Sequence, residues 1–188
     1  MINFKEILKD NKCEICDSKS INTVLSFNPS PLGDIYLPSD KKHLANKLYP
    51  LDLYSCAKCG YLSLIDKVNP KLSYTNYIYE SKTTVGLLSH YDRYAREISK
   101  RLKLTDKDKI LDVGSNDGSM LSSFKKEGLF TLGIEPASEI AKIANNSGLK
   151  TINGYLNNKT SSYILKKYGT FNVITANYVF ANILDLNS

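Results

Sequence analysis

Two C-x-x-C pairs in the N-terminal part, and strand-like segments alternating with helix-like ones after residue 105, predict an α/β fold in two parts. The first part is a small metal-binding domain over residues 1–80. The second is a parallel sheet with helices over residues 105–188, and a connecting helix over residues 81–104 joins the two. A glycine-bounded turn, "GSNDG" at residues 114–118, leaves the first strand of the second part. It marks where a ligand would sit.

Composition bounds the rest. The chain has 188 residues, 42% apolar and 23% charged, which is ordinary for a globular protein and enough for one domain plus a small second one. No stretch approaches the apolar length of a membrane span. The N-terminus, "MINFKEILKDNK", is charged and lacks the apolar core and cleavage site of a signal peptide. These features predict a cytoplasmic protein with no membrane partner. The net charge of +6 is evenly spread: 14 basic against 11 acidic side chains in residues 1–100, and 11 against 8 in residues 101–188. No basic run exceeds two residues, so a nucleic-acid partner is not expected.

Each element follows from its pattern. In "TTVGLLSHYDRYAREISKRLKL", Leu87, Leu88, Tyr91, Tyr94, Ala95, Ile98 and Leu102 recur at helical spacing as one apolar stripe. Strands follow at "KILDV", "FTLGI", "KTI" and "FNVITA". Helices are predicted over Ser119–Glu127, Ser138–Asn146 and about Thr160–Lys167, with Gly128, Gly148 and Gly169 beyond them as stop signals. Strands and helices alternating at this spacing imply a parallel sheet.

Cys13-x-x-Cys16 and Cys56-x-x-Cys59 use all four cysteines of the chain, with 39 residues between the pairs. Each C-x-x-C turn aims two thiolates at one point, and two such turns complete a tetrahedral sulfur site suited to Zn²⁺. Gly60 directly follows the second pair, as in zinc knuckles. An iron site of rubredoxin type would use the same ligands, and disulfides or unpaired core thiols are the plain alternative. Four thiolates leave no open coordination position, so the metal is expected to be structural.

The turn lacks the middle glycine of a dinucleotide loop: Asn116 stands there, and the third glycine is missing. A ligand without pyrophosphate fits better, and S-adenosylmethionine is one. Asp112 and Asp117 would attract its ammonium and sulfonium charges. Glu135, in "GIEPAS", lies 17 positions after Gly118 at the end of the second strand. An acid near that distance meets ribose hydroxyls. A plain tight turn, or a nicotinamide or flavin site, is the competing reading.

These stretches resemble a known family. "CEIC", "SPLGDIYL", "YPLDLYSCAKCGYLSLI", "YIYESKTT", "SHY", "ILDVGSNDGSML", "GIEPAS" and "ANYVFANI" resemble the N-terminal part of the S-adenosylmethionine-dependent C-methyltransferases of nucleotide-linked keto-deoxysugars, which carry an N-terminal zinc-binding domain. The resemblance implies zinc at Cys13, Cys16, Cys56 and Cys59. It implies a partial Rossmann-like sheet of order 3-2-1-4, with the cofactor held by Gly114, Ser115, Asn116, Asp117, Gly118, Glu135 and Pro136, beside the Asp112 already singled out by its charge. It places Asn177 at the methyl-donor side, Tyr77 and Tyr79 in a Tyr-x-Tyr element over the active site, and His90 in a His-aromatic pair on the helix behind. Tyr77 is thereby a substrate contact, and Tyr79 and His90 are candidates for removing the proton α to a sugar keto group. The implied role is deoxysugar biosynthesis on a small-molecule substrate, a nucleotide-sugar.

Departures are visible too. Ser63 replaces the family's usual Gln, Asn182 its usual His, and Gly154 an acid that meets adenine, leaving that contact to Asn153, to backbone or to nothing. The family's sheet has seven strands and continues well beyond the fourth, where this chain ends. "FNVITANYVF" has no charge and no proline, which reads as an interior strand and not an edge. The expectation is a fragment or truncated product, or a second chain that supplies the missing strands. The alternatives in function are a zinc-containing binding module without catalysis, and a methyltransferase acting on another small molecule.

Overall fold

The computed structural model describes residues 6–9, 11–33, 37, 39–75 and 77–183. Residues 34–36, within "SPLGDIYL", lie outside them, as do residues 1–5 of the expected first domain. The chain divides into two compact units, Met1–Thr75 with Ile183–Ser188, and Asn76–Asn182.

The first unit is built from short antiparallel pairings. Strand β1 (Ile7–Lys9) pairs with β7 (Asp66–Val68), and β3 (Ser30–Pro31) with β4 (Leu48–Tyr49). Strands β2 (Ile21–Leu25), β5 (Leu53–Cys56) and β6 (Leu62–Leu64) form a three-stranded sheet in the order β2-β5-β6. Helix α1 (Pro70–Tyr74) starts as its sequence dictates: Pro70 occupies the first turn, where no N–H is needed, and the Asn69 side chain accepts from the Lys71 N–H. The apolar core is meagre. Among the described residues only Cys13, Tyr49, Cys56 and Ile65 are buried apolar side chains, while Val24, Phe27, Leu48 and Leu62 are each more than half exposed. A core in which half the members are metal-type ligands cannot hold a unit of this size by packing alone.

The second unit carries a four-stranded, all-parallel sheet in the order β10-β9-β8-β11, the expected 3-2-1-4. The strands are β8 (Lys109–Val113), β9 (Phe130–Glu135), β10 (Thr151–Asn153) and β11 (Val173–Thr175). The helices are α2 (Leu87–Leu102), α3 (Ser119–Lys126), α4 (Ser138–Asn146) and α5 (Asn158–Tyr168). After Lys109 at its start, strand β8 is apolar except at Asp112 because both of its faces are covered. Ile110 packs with Ala95, Met120 and Phe124 of α2 and α3, while Leu111 and Val113 pack with Leu132, Ile134 and Ile164 on the other face. On the outer edge strand β11, Ile174 is 64% exposed.

Helix α2 begins later than the segment from residue 81. Gly86 has φ +82°, and Ser81–Thr83 form a 3₁₀ turn before it. Tyr91, Tyr94, Ala95 and Ile98 of the predicted stripe face the core, whereas Leu88 and Leu102 at the ends are exposed. Helix α2 belongs to the second unit and is tied to α3 through Asp92, which accepts from the Ser123 hydroxyl at 2.7 Å and pairs with Lys126 at 2.9 Å.

Gly118 is the turn residue on which the packing of α3 depends. Its φ is +81°, and a Cβ there would meet Leu149 Cδ1 at 2.6 Å and the Ala144 Cβ at 3.3 Å. Gly118→Ala is expected to destabilise the second unit by roughly 2–4 kcal/mol, from left-handed strain plus overpacking. Thermal unfolding followed by circular dichroism checks this; an unchanged midpoint would show that the turn relaxes freely.

Candidate functional site

Two sites emerge, one in each unit. In the first, the Sγ atoms of Cys13, Cys16, Cys56 and Cys59 all lie within 4.8 Å of one another. The Cys13–Cys59 and Cys16–Cys56 separations are 3.6 Å. Four sulfurs about 2.3 Å from a tetrahedral zinc lie about 3.8 Å apart, so the donor set fits the ion, and these separations are far too long for S–S bonds. Both pairs sit on tight turns closed by backbone bonds, Asp17 N–H to Cys13 O at 3.0 Å and Gly60 N–H to Cys56 O at 2.9 Å. The residue after each second cysteine is left-handed: Gly60 at φ +75°, as its identity suggests, and Asp17 at φ +56°. Asp is one of the few non-glycine residues that adopt this conformation readily, so the first knuckle matches the second without a glycine to announce it.

The thiols share protons unevenly. The Cys59 N–H favours the Cys56 thiolate and holds that thiol down to about 6. At Cys59 the Tyr61 N–H also favours the thiolate, but desolvation and the three neighbouring thiols outweigh it and push the group up to about 12. A metal ion at the cluster would favour the thiolate form of its ligands, so its binding would release protons. Between the first two ligands, Glu14 pairs with Lys67 and accepts from the hydroxyls of Tyr61 at 3.4 Å and Ser63 at 3.2 Å. Ser63, a departure from the family pattern, therefore holds the first knuckle against β6.

The second site lies at the carboxyl ends of the parallel strands. The N–H groups of Gly114 and Ser115 both donate to Ile134 O, at 2.8 and 3.0 Å, pinning the turn to β9. Asn116 has φ +50° and donates its N–H to Glu135 Oε2 at 2.9 Å. The other oxygen, Oε1, accepts from the Ala137 N–H at 2.8 Å, across Pro136. Glu135 thus stands beside the turn, with each carboxylate oxygen oriented by one backbone donor. Asn153 donates to the carbonyls of Glu135 at 2.9 Å and Pro136 at 3.0 Å, which steadies the same corner.

The other turn residues divide by role. Asp117 caps α3, accepting from Ser119 N–H at 3.0 Å and Ser119 Oγ at 2.6 Å. Ser115 is buried and packs beneath the turn: a Cβ on Gly133 would meet its Oγ at 2.4 Å. Besides the two glycines of the turn, the cradle therefore needs a third, strand-borne one that no turn motif announces. Gly114 faces the loop after β11, where Val179 Cγ2 fills the place of a Cβ at 2.5 Å. Asn177 in that loop donates to Met120 Sδ at 3.4 Å.

The Tyr77–Thr84 segment lies against this turn. The Asn116 amide donates to Tyr79 O at 2.9 Å and accepts from Ser81 N–H at 2.9 Å, and Asp117 Oδ2 accepts from Lys82 N–H at 2.9 Å. The Tyr79 hydroxyl bonds Thr84 Oγ1 at 2.6 Å, and the Tyr77 ring meets the Tyr79 ring edge-on at 6.1 Å. His90 is exposed on α2, 6.0 Å from the Tyr91 ring and 6.3 Å from the Tyr94 ring. Tyr91 is the member of the His-aromatic pair that faces the turn: burial raises its hydroxyl pKa, a Ser81 contact opposes the rise, and Asp112, Tyr79 and Asp117 lie within electrostatic reach. Helical spacing alone places Tyr91 only in the apolar stripe.

Three buried carboxylates meet here. Asp112, Asp117 and Glu135 are 4%, 5% and 5% exposed. Burial pushes Asp112 from its usual 3.8 up to about 7; a 2.7 Å bond from the Thr175 hydroxyl opposes the rise and the Glu135 charge adds to it. Burial also raises Glu135, against the Ala137 and Asn116 N–H groups that favour its charge. Thr175 reaches Asp112 because β11 pairs directly with β8 at that register. Carboxylates gathered out of water and short of counter-charge suit a cationic ligand.

Residues 13–74 match a family described as "Putative zinc binding domain", and residues 87–188 one described as "Methyltransferase domain". Among curated relatives, the C-methyltransferase NovU of Streptomyces niveus is 26% identical over 177 residues, covering 94% of this chain and 42% of NovU. The chain thus spans less than half the length of that relative. Among solved structures, Streptomyces venezuelae DesVI is 22% identical over 42% of this chain and 37% of its own, with a TM-score of 0.32. A S-adenosylmethionine-dependent methyltransferase from Thiobacillus denitrificans, in complex with S-adenosyl-L-homocysteine, is 23% identical over 35% and 32%, with a TM-score of 0.30. Both expected cofactors, S-adenosylmethionine and zinc, accord with the two family matches and the sulfur cluster. With more than half of its residues matched, the chain belongs to the methyltransferase domain family.

Proposed function

We propose that these residues form the S-adenosylmethionine site and the zinc-stabilised N-terminal domain of a C-methyltransferase acting on a nucleotide-linked keto-deoxysugar. The observation that carries the cofactor reading is Glu135, its two oxygens oriented by the Asn116 and Ala137 N–H groups beside a turn lined with further buried acid. Lone pairs remaining on both oxygens suit a vicinal ribose diol, and the surrounding negative charge suits a sulfonium. The sugar reading rests on the sequence resemblance, and likeness to NovU supports C-methylation.

Bound there, S-adenosylmethionine supplies an electrophilic methyl group to a carbon nucleophile such as the enolate of a ketone. The chain's own residues hold and orient. Glu135 takes the ribose, Asp112 and Asp117 supply negative charge, and Asn177 borders the site from the loop after β11. Tyr79 is better placed than His90 to handle the α-proton, since its backbone is bonded to the turn while His90 is exposed. Tyr77, edge-on to Tyr79, is the adjoining substrate contact.

Calorimetry with S-adenosylmethionine tests this reading, and pH gives it a signature. In the ligand-free chain Asp112 exchanges its proton near pH 7. A cationic ligand favours the ionised form, so binding releases a proton below that pH. Affinity is expected to rise with pH by up to about tenfold per unit and to level off above about 7. S-adenosylhomocysteine, without the sulfonium charge, should show a flatter profile. Ligand-free stability has the opposite sign: the raised acid contributes fully below its usual 3.8, and that contribution is lost as pH rises through about 7. No binding at millimolar ligand overturns the cofactor reading. Binding without turnover on keto-sugar nucleotides would favour a non-catalytic binding module.

A further inference from the structure

We propose that Asn116 is a positioning residue that latches the Tyr77–Thr84 segment onto the cofactor turn, and thereby sets where Tyr79 stands. The proposal rests on the cofactor reading above only for its ligand-dependent part.

The backbone at Asn116 favours glycine. Its φ of +50° is left-handed, and asparagine tolerates this region better than most residues but worse than glycine. The side chain explains the choice. Nδ2 donates to Tyr79 O at 2.9 Å, while Oδ1 accepts from Ser81 N–H at 2.9 Å and Ser81 Oγ at 3.2 Å. An amide presents a donor and an acceptor side by side, as these two bonds require. An aspartate would keep the Ser81 bond and turn an oxygen towards the Tyr79 carbonyl. A glycine would suit the backbone and lose both bonds.

The latch is seated in protected surroundings. Ser81 is 7% exposed and is approached by the Tyr91 hydroxyl. Lys82 N–H makes a second tie, to Asp117. The segment's carbonyl at Tyr79 and its amides at Ser81 and Lys82 thus all terminate on neighbouring turn residues. The Tyr79 ring leaves the same short stretch, with its hydroxyl on Thr84.

The other end of Asn116 reaches the proposed ribose carboxylate, through its N–H bond to Glu135 Oε2. A ligand hydroxyl arriving at Glu135 acts on the group that holds the Asn116 backbone, while the Asn116 side chain holds Tyr79. One residue therefore couples cofactor occupancy to the placement of the tyrosines, and no rearrangement of α2 or of the sheet is required.

Amide hydrogen exchange on the whole chain, wild type against Asn116→Gly and Asn116→Asp, tests the proposal. Without ligand, the Ser81 amide should exchange roughly tenfold faster in Asn116→Gly, the loss expected for one net hydrogen bond. The unfolding midpoint should hold, because glycine relieves the left-handed backbone. In Asn116→Asp the Ser81 amide should stay close to its wild-type rate, because the oxygen that accepts from it remains and only the bond to the Tyr79 carbonyl is lost. At saturating S-adenosylmethionine, the Ser81 and Lys82 amides should slow further in wild type and fail to slow in Asn116→Gly. Equal ligand-free rates at Ser81 in wild type and Asn116→Gly overturn the latch. Equal slowing by ligand in both overturns the coupling. A wild-type chain that binds no S-adenosylmethionine overturns the cofactor reading and the coupling with it, while the ligand-free comparison still decides the latch.

Discussion

Replacing Cys56 with serine is expected to abolish metal retention and unfold the first unit. Cys56 is 2% exposed, opens the second knuckle and closes strand β5, so it is a ligand and a core residue at once. The unit has almost nothing else to hold it: beside Cys13 and Cys56, only Tyr49 and Ile65 are buried apolar side chains among its described residues. Structural zinc sites contribute about 10–16 kcal/mol of apparent binding free energy near neutral pH, well above what so small a core supplies. Elemental analysis should find one zinc per wild-type chain and none in Cys56→Ser. Chelation of the wild type should expose residues 13–74 to proteolysis. Cobalt substitution should give the intense thiolate charge-transfer bands of a tetrahedral sulfur site, and an iron site would instead colour the protein as isolated. If the first unit resists protease equally after complete chelation, packing and not metal holds it.

Replacing Glu135 with alanine should weaken S-adenosylmethionine binding by roughly a hundredfold or more. Hydrogen bonds to a charged group contribute about 1.5–3 kcal/mol each, and a ribose diol makes two. The carboxylate also organises the site it serves, because the N–H groups of Asn116 and Ala137 both end on it. Alanine leaves those two donors without their partner in a buried corner, at roughly 1–3 kcal/mol apiece. Glu135→Gln is not a harmless replacement: its NH₂ would face one of the two backbone N–H groups. It should fall between wild type and alanine. Calorimetry with S-adenosylmethionine and with its 2′-deoxy analogue separates the causes, since the analogue should lose less than the natural ligand on mutation. Binding within threefold of wild type in Glu135→Ala would remove the ribose assignment.

The second unit was readable because its signals are local. "KILDV" matches β8 residue for residue, and Ser138–Asn146 matches α4, since an apolar run and an apolar stripe each declare their period within a few residues. Gly128 and Gly148 follow their helices with φ of +84° and +73°. The first unit was less legible beyond its cysteines. Its strands are two to five residues long, too short for a period to declare itself. Thr83–Gly86 continues the polar-apolar texture of α2 in sequence, and only the left-handed Gly86 marks where the helix begins.

By itself, the sequence determined the alternation of strands and helices, the two C-x-x-C pairs whose sulfurs cluster, and the pairing of a glycine turn with an acid after the second strand. These are properties of spacing along the chain, set by backbone periodicity and by the reach of a C-x-x-C turn. Tertiary structure alone decided what each turn residue does. Asn116 meets Tyr79 and Ser81, 37 and 35 positions upstream; Thr175 meets Asp112 across 63; Gly133 makes room for Ser115. The reason is that a buried polar group must find a partner, and sheet register and close packing, rather than neighbours in sequence, determine which one is within hydrogen-bonding distance.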